Sequence, residues 1–110
     1  MLLPNGAQAR IDDRKLLQYI LSPTHPHGRS HARLFDQLLG INLSNAHVLR
    51  DALLEAATTR EAVPIETSQF GRKYEVRFSL HSARGEYTVL SIWIVSFDDS
   101  APKLVTAYIE

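Results

Sequence analysis

The apolar pattern of this chain changes its period once, and that change constrains the fold more than any other feature. As far as about Ala57 the apolar residues recur at three- and four-residue spacing, which builds one face of a helix. From Tyr74 onward they alternate, which builds one face of a strand. Helices first and strands second define an α+β chain. The expected architecture is three N-terminal helices packed on a C-terminal antiparallel meander of three to four strands.

Within the first half, Asp12-Asp13 supplies N-cap chemistry for a first helix carrying Leu16, Leu17, Ile20 and Leu21, and Ser22-Pro23 stops it. Ala9-Arg10-Ile11, just before, has the alternation of a short edge strand. Thr24 to Gly28 is loop, because each proline disfavours helical geometry in the residue before it. Ser30 is a candidate N-cap for a second helix from His31 to about Leu39. Its expected buried stripe is Leu34, Phe35, Leu38 and Leu39, with Gly40 in the left-handed terminating position. Ser44 is placed to cap a third helix reaching about Ala57, with Leu49, Ala52, Leu53 and Ala56 inward.

Pro64 closes any helical option, and Thr58 to Gly71 reads as a connector with a short extended piece around Val63 and Ile65. Tyr74, Val76, Phe78 and Leu80 then form the apolar face of a strand whose other face carries Glu75, Arg77, Ser79 and His81. Arg84-Gly85 turns the chain into an apolar run from Tyr87 to Phe97, and Asp98 to Pro102 turns it again into a last strand from Leu104 to Ile109. Leu104, Thr106 and Tyr108 are expected to share one face of that strand.

Length and composition bound the rest. At 110 residues with 45% apolar content the chain supports one hydrophobic core, so residues 1–110 form a single expected domain. Cysteine is absent, which excludes disulfides, thiolate nucleophiles and cysteine-held zinc. No signal-peptide pattern and no membrane-length apolar run is visible, so a cytoplasmic protein without membrane contact is expected. Twelve basic residues balance twelve acidic ones, so contact with nucleic acid requires a local patch rather than a global field.

One stretch concentrates chemistry: His25, His27 and His31 interleaved with Arg29 and Arg33. Imidazole gives and takes protons near neutral pH, and guanidinium holds phosphate bidentately, a combination suited to cleaving a phosphodiester. The plainer reading is a loop whose histidines cap backbone groups. Three histidines at these positions match no recognised zinc spacing, and neither metal nor cofactor is expected. On the sheet, Arg77 with its polar neighbours, and Thr106 with Tyr108, can meet phosphate or base, although solvated surface and β-propensity also explain them. Trp93 belongs in the core. There is no Gly-x-Ser-x-Gly turn and no Gly-x-x-x-x-Gly-Lys loop.

Leu3-Pro4-Asn5, the segment Leu21 to Arg29 with its His-Pro-x-Gly-Arg pattern, Ala32-Arg33-Leu34-Phe35, Trp93-Ile94-Val95 and Leu104-Val105-Thr106-Ala107-Tyr108 follow one another in an order that resembles a small uncharacterised bacterial family. Its members occur as short chains and as C-terminal modules of larger proteins, and they commonly carry a lysine where this chain has His31. The layout also looks like that of the barnase, colicin and RelE-type ribonuclease toxins. That likeness implies metal-independent RNA cleavage through the ribose 2′-hydroxyl. His25 or His31 would move the proton, Arg29 or Arg77 would steady the phosphate, and Thr106 and Tyr108 would position the strand. The alternative is a non-catalytic module that binds a small cognate antitoxin or immunity protein, for instance by extending the edge strand Leu104 to Ile109.

Overall fold

The computed structural model describes residues 1–110. After a 3-10 turn at Gly6–Gln8 comes α1, Asp13–Lys15, which runs straight into a π-helical turn at Leu16–Ile20. Then follow α2 (Arg29–Leu39), a 3-10 turn (Leu43–Asn45) and α3 (Ala46–Thr59). Four strands complete the chain: β1 (Ala62–Thr67), β2 (Gly71–Ser82), β3 (Gly85–Ser96) and β4 (Asp99–Ile109). They form one antiparallel sheet in the order β1-β2-β3-β4, so the α+β architecture read from the sequence is the one observed.

The helices cover one face of the sheet, with α3 packed against β2 and α2 against β3 and β4. Leu16, Ile20 and Leu21 from the first helical segment, Phe35 and Leu39 from α2, and Leu49 and Leu53 from α3 meet Val76, Val89 and Trp93 of the sheet in one continuous core. No helix is long and apolar enough to cross a membrane.

Several boundaries differ from the sequence expectation for identifiable reasons. Ala9-Arg10-Ile11 makes no strand; Arg10 alone bridges Lys103 in parallel. Ser30 lies inside α2, whose N-cap is Gly28 with no side-chain bond. The cap expected of Ser44 is not made: α3 starts after Asn45 with no side-chain bond, and a capping box of Asn42 and Asn45 closes the 3-10 turn before it. Leu17 and Leu34 are exposed, because the π turn rotates the first and α2 presents Ala32 inward in place of the second. The extended piece near Val63 is a full strand, β1. β4 begins at Asp99 with the buried Pro102 inside it, its carbonyl accepting from the Arg10 amide at 2.8 Å.

One irregularity decides how the last strand presents its side chains. Ile92 pairs with Thr106 while Trp93 pairs with Leu104, which leaves Val105 as an extra residue. The bulge turns the buried Leu104 to the helix side with Trp93. Thr106 and Tyr108 face the opposite way, so the expectation of one shared face is corrected.

Inside the sheet, the indole Nε1–H of Trp93 donates to Ser91 Oγ at 2.9 Å, and Ser91 Oγ donates to the Val76 carbonyl at 2.7 Å, all fully buried. Replacing Ser91 with alanine strips the indole of its acceptor. It is expected to cost about 1–3 kcal/mol, the usual penalty for an orphaned buried donor. Urea unfolding followed by the fluorescence of the single tryptophan measures this, and an unchanged midpoint refutes the role.

Asp99 fastens the start of β4. The Ala101 amide, then Lys103 and Arg10, hold its carboxyl below the ordinary value of 3.8. A depressed carboxylate contributes stability that is complete above its unfolded value and is lost as pH falls through the folded one. An NMR titration of the Asp99 carboxyl should therefore show a midpoint under 3.8, and a midpoint at or above it contradicts the tether.

Candidate active site

The loop before α2 is organised by its own side chains. Buried Ser22 accepts the amides of Thr24 and His25 through Oγ at 3.3 and 3.2 Å. His25 Nδ1 then accepts the amides of His27 and Gly28 at 3.0 and 3.1 Å, and the His25 ring packs edge-on to Tyr19 with centroids 4.8 Å apart. The His25 carbonyl takes the Arg29 amide that starts α2. Gly28 is needed here because a Cβ would strike the carbonyl oxygen of Tyr19. His25 thus holds the loop, with one ring nitrogen committed to backbone.

His31 behaves differently. Sitting in the first turn of α2, it meets the sheet: its ring and that of Tyr108 lie with centroids 5.0 Å apart and planes inclined by 32°. Its Nδ1 is buried and has no hydrogen-bond partner. An orphaned buried polar atom costs about 1–3 kcal/mol and calls for an explanation.

Tyr108 shares its sheet face with other candidates. Register runs Arg77, Leu90, Tyr108 across three strands, and Glu75, Ile92, Thr106 in the next facing row. Strand spacing puts Arg77 about 10 Å from Tyr108 at the backbone, and Thr106 lies ~7 Å along β4. Arg77 is not idle. Its Nε and one terminal nitrogen donate to Glu110 at 2.8 and 3.2 Å, and the other terminal nitrogen donates to Glu75 at 2.7 Å. Glu110 first and Glu75 second push its pKa up, and donors on both terminal nitrogens stay uncommitted.

Arg29 is elsewhere. Two helical steps of about 100° carry it to the far side of α2 from His31, where it lines a cleft of about 450 Å³ with Arg33. The structure therefore joins His31 to Tyr108 and its sheet face, and sets Arg29 and His25 apart from them. Sequence reasoning had the means to separate Arg29 from His31 by helical spacing. It did not find Glu110, whose carboxylate occupies Arg77.

Fold and site together define a small helix-backed antiparallel meander with an imidazole–phenol pair where its second helix meets the last strand. The chain belongs to the family described as "Domain of unknown function (DUF6883)", whose model matches residues 2–110. No curated protein matches it. Among solved structures, a chain of the "Contact-dependent growth inhibition toxin - immunity protein complex from Klebsiella pneumoniae 342" aligns with a TM-score of 0.71 at 18% identity, over 91% of this chain and 98% of that one. At that identity the likeness is one of fold.

The division of labour among the histidines is testable. His25→Ala is expected to speed hydrogen exchange at the His27 and Gly28 amides by tenfold or more, since each loses about 1.4 kcal/mol or more of protection. His31→Ala should leave both amides slow. Equal effects of the two substitutions would contradict the assignment.

Proposed function

We propose that this domain is a toxin-type ribonuclease that cleaves RNA through the ribose 2′-hydroxyl without a metal ion. The observation that carries the proposal is the meeting of His31 with Tyr108, which brings an imidazole against the hydroxyl-bearing face of the last strand. Structural likeness to a chain from a toxin–immunity complex agrees with it at the level of fold.

In this reading His31 takes the proton from the 2′-oxygen as that oxygen attacks phosphorus. The P–O5′ bond breaks, the departing oxygen takes a proton from water while His31 returns its own to solvent, and the products are a 2′,3′-cyclic phosphate and a 5′-hydroxyl end. Charge builds on the non-bridging oxygens. The uncommitted donors of Arg77, in the same cross-strand row as Tyr108, can meet it, with Thr106 and Tyr108 supplying hydroxyls that orient the strand. Arg29 and His25 then act outside the reacting centre, one in the neighbouring cleft and the other as the loop's anchor.

A second reading is favoured by a different observation. β1 is an edge of the sheet, and Val63 and Ile65 on it are 48% and 40% exposed, a row able to pair with a strand of a protein partner such as a cognate immunity protein or antitoxin. Both edges are bridged near their starts, β1 by the Met1 carbonyl on the Ala62 amide and β4 by Arg10, but β4 also packs against α2, whereas β1 is exposed beyond Ala62.

Incubation of the purified protein with total RNA separates the two. The ribonuclease reading expects fragments ending in cyclic phosphate, a loss of about a hundredfold or more in rate with His31→Ala, and a smaller loss with Tyr108→Phe. No cleavage by the wild type, or full activity of folded His31→Ala protein, removes it.

A further inference from the structure

Most cations of this chain are spoken for. Arg10, Arg14, Arg50, Lys73, Arg77 and Lys103 pair with carboxylates, Arg84 donates to the carbonyls of Asp36 and Gln37, and Lys15 lies over the Tyr19 ring. Arg29 and Arg33 have no such partner, and they are the two that stand one turn apart on α2 and line the same cleft. Their Cβ atoms are about 5–6 Å apart, close enough for both guanidinium groups to grip one phosphate or two successive ones.

The rest of the cleft is not an ion site alone. Leu21, Pro23 and Leu43 give it apolar surface, and Asn42 and Ser44 add amide and hydroxyl groups. Asp36 also lines it, with one carboxylate oxygen accepting from Asn42 Nδ2 at 3.0 Å, so two guanidinium groups face one carboxylate and the cleft keeps an excess of positive charge. Paired guanidinium groups beside an apolar surface and amide and hydroxyl groups match the three parts of a nucleotide: phosphate, the flat face of a base, and the polar edges of base and sugar. An acidic peptide would use the arginines and leave the apolar surface without a role.

We propose that this cleft is a nucleotide subsite for single-stranded RNA, holding one phosphate with its sugar and base on the side of α2 opposite the His31–Tyr108 pair. The inference rests on the ribonuclease reading and extends it: a strand that passes around the start of α2 would be gripped on one side and cut on the other. Of the four arginines without a partner, Arg29, Arg33, Arg60 and Arg72, it accounts for the two that line one cleft.

The test is binding, which does not depend on cleavage. A hexaribonucleotide methylated at every 2′-oxygen cannot undergo the reaction and serves as the probe. Its affinity is measured by fluorescence anisotropy at several salt concentrations, for the wild type, for Arg29→Gln/Arg33→Gln, and for Arg60→Gln/Arg72→Gln. The last removes equal charge at exposed positions outside the cleft. The cleft variant is expected to bind roughly tenfold weaker or worse. Its salt slope should fall by about 0.7, the share of one single-strand phosphate contact. The control variant should change little.

Equal losses in both variants, or none in the cleft variant, overturn the proposal, as does absence of binding by the wild type. Adenosine monophosphate binding as tightly as the hexamer overturns the assignment to a strand, and poly-glutamate displacing the probe as well as RNA does points to an acidic protein and overturns it too. Binding lost in the cleft variant while total RNA stays intact with the wild type leaves the subsite standing and removes the nuclease. Cleavage with unaltered binding in the cleft variant does the reverse.

Discussion

The position of α2 against the ends of β3 and β4 is the constraint on which the rest depends. Phe35, fully buried, anchors the middle of the helix in the core, and Arg84 from the β2–β3 turn donates to the carbonyls of Asp36 and Gln37 near its C-terminus. The Asp36 carbonyl also accepts the Gly40 amide, whereas that of Gln37 is one the helix end leaves unpaired, and Gly40, at φ 69°, supplies the left-handed residue that lets the chain leave. With its far end clasped and its middle buried, the helix has one remaining freedom, the placement of its first turn. The Ser22 and His25 side chains remove that freedom by capping the amides of the loop. His31 meets Tyr108 as a consequence of both.

Much of this was legible in residue order. Alternation from Tyr74, the glycine after Leu39 and the turn at Arg84-Gly85 each reflect a local rule that no tertiary contact overrides, and the strands and α2 lie close to where those rules put them. β1 was only partly legible because it is an edge: one residue of six is buried, so burial imposes no alternation on Val63, Pro64 and Ile65. The π turn was invisible for the opposite reason, since Leu16, Leu17, Ile20 and Leu21 satisfy ordinary helical spacing, and only packing decides that Leu17 turns outward.

The candidate site was less legible than the fold, and the reason is again physical. Residue types named His31, Arg77, Thr106 and Tyr108, yet nothing local brings position 31 to position 108; that takes the full meander with α2 laid across its end. A single bulge at Val105 then decides which face Thr106 and Tyr108 occupy, because one extra residue in a strand reverses every side chain beyond it. Without it, simple alternation would keep Leu104, Thr106 and Tyr108 on one face, and holding Leu104 beside Trp93 would carry Thr106 and Tyr108 into the core as well.

The resemblance noted in the sequence places a lysine where this chain has His31, and the geometry suggests why either residue suits the position. Tyr108 presents a ring to it, and an aromatic face attracts both a second ring and a cation. What the exchange alters is proton chemistry. Imidazole has a second nitrogen and an ordinary pKa near neutrality, whereas an ammonium in the same place is a fixed charge unless its surroundings depress it. On the proposed ribonuclease reading, the exchange would keep the ring contact with Tyr108 and move the residue's part from charge stabilisation with lysine to proton transfer with histidine. The buried, unpartnered Nδ1 of His31 fits that shift, since a nitrogen left without a hydrogen bond does not fix which tautomer the ring must hold.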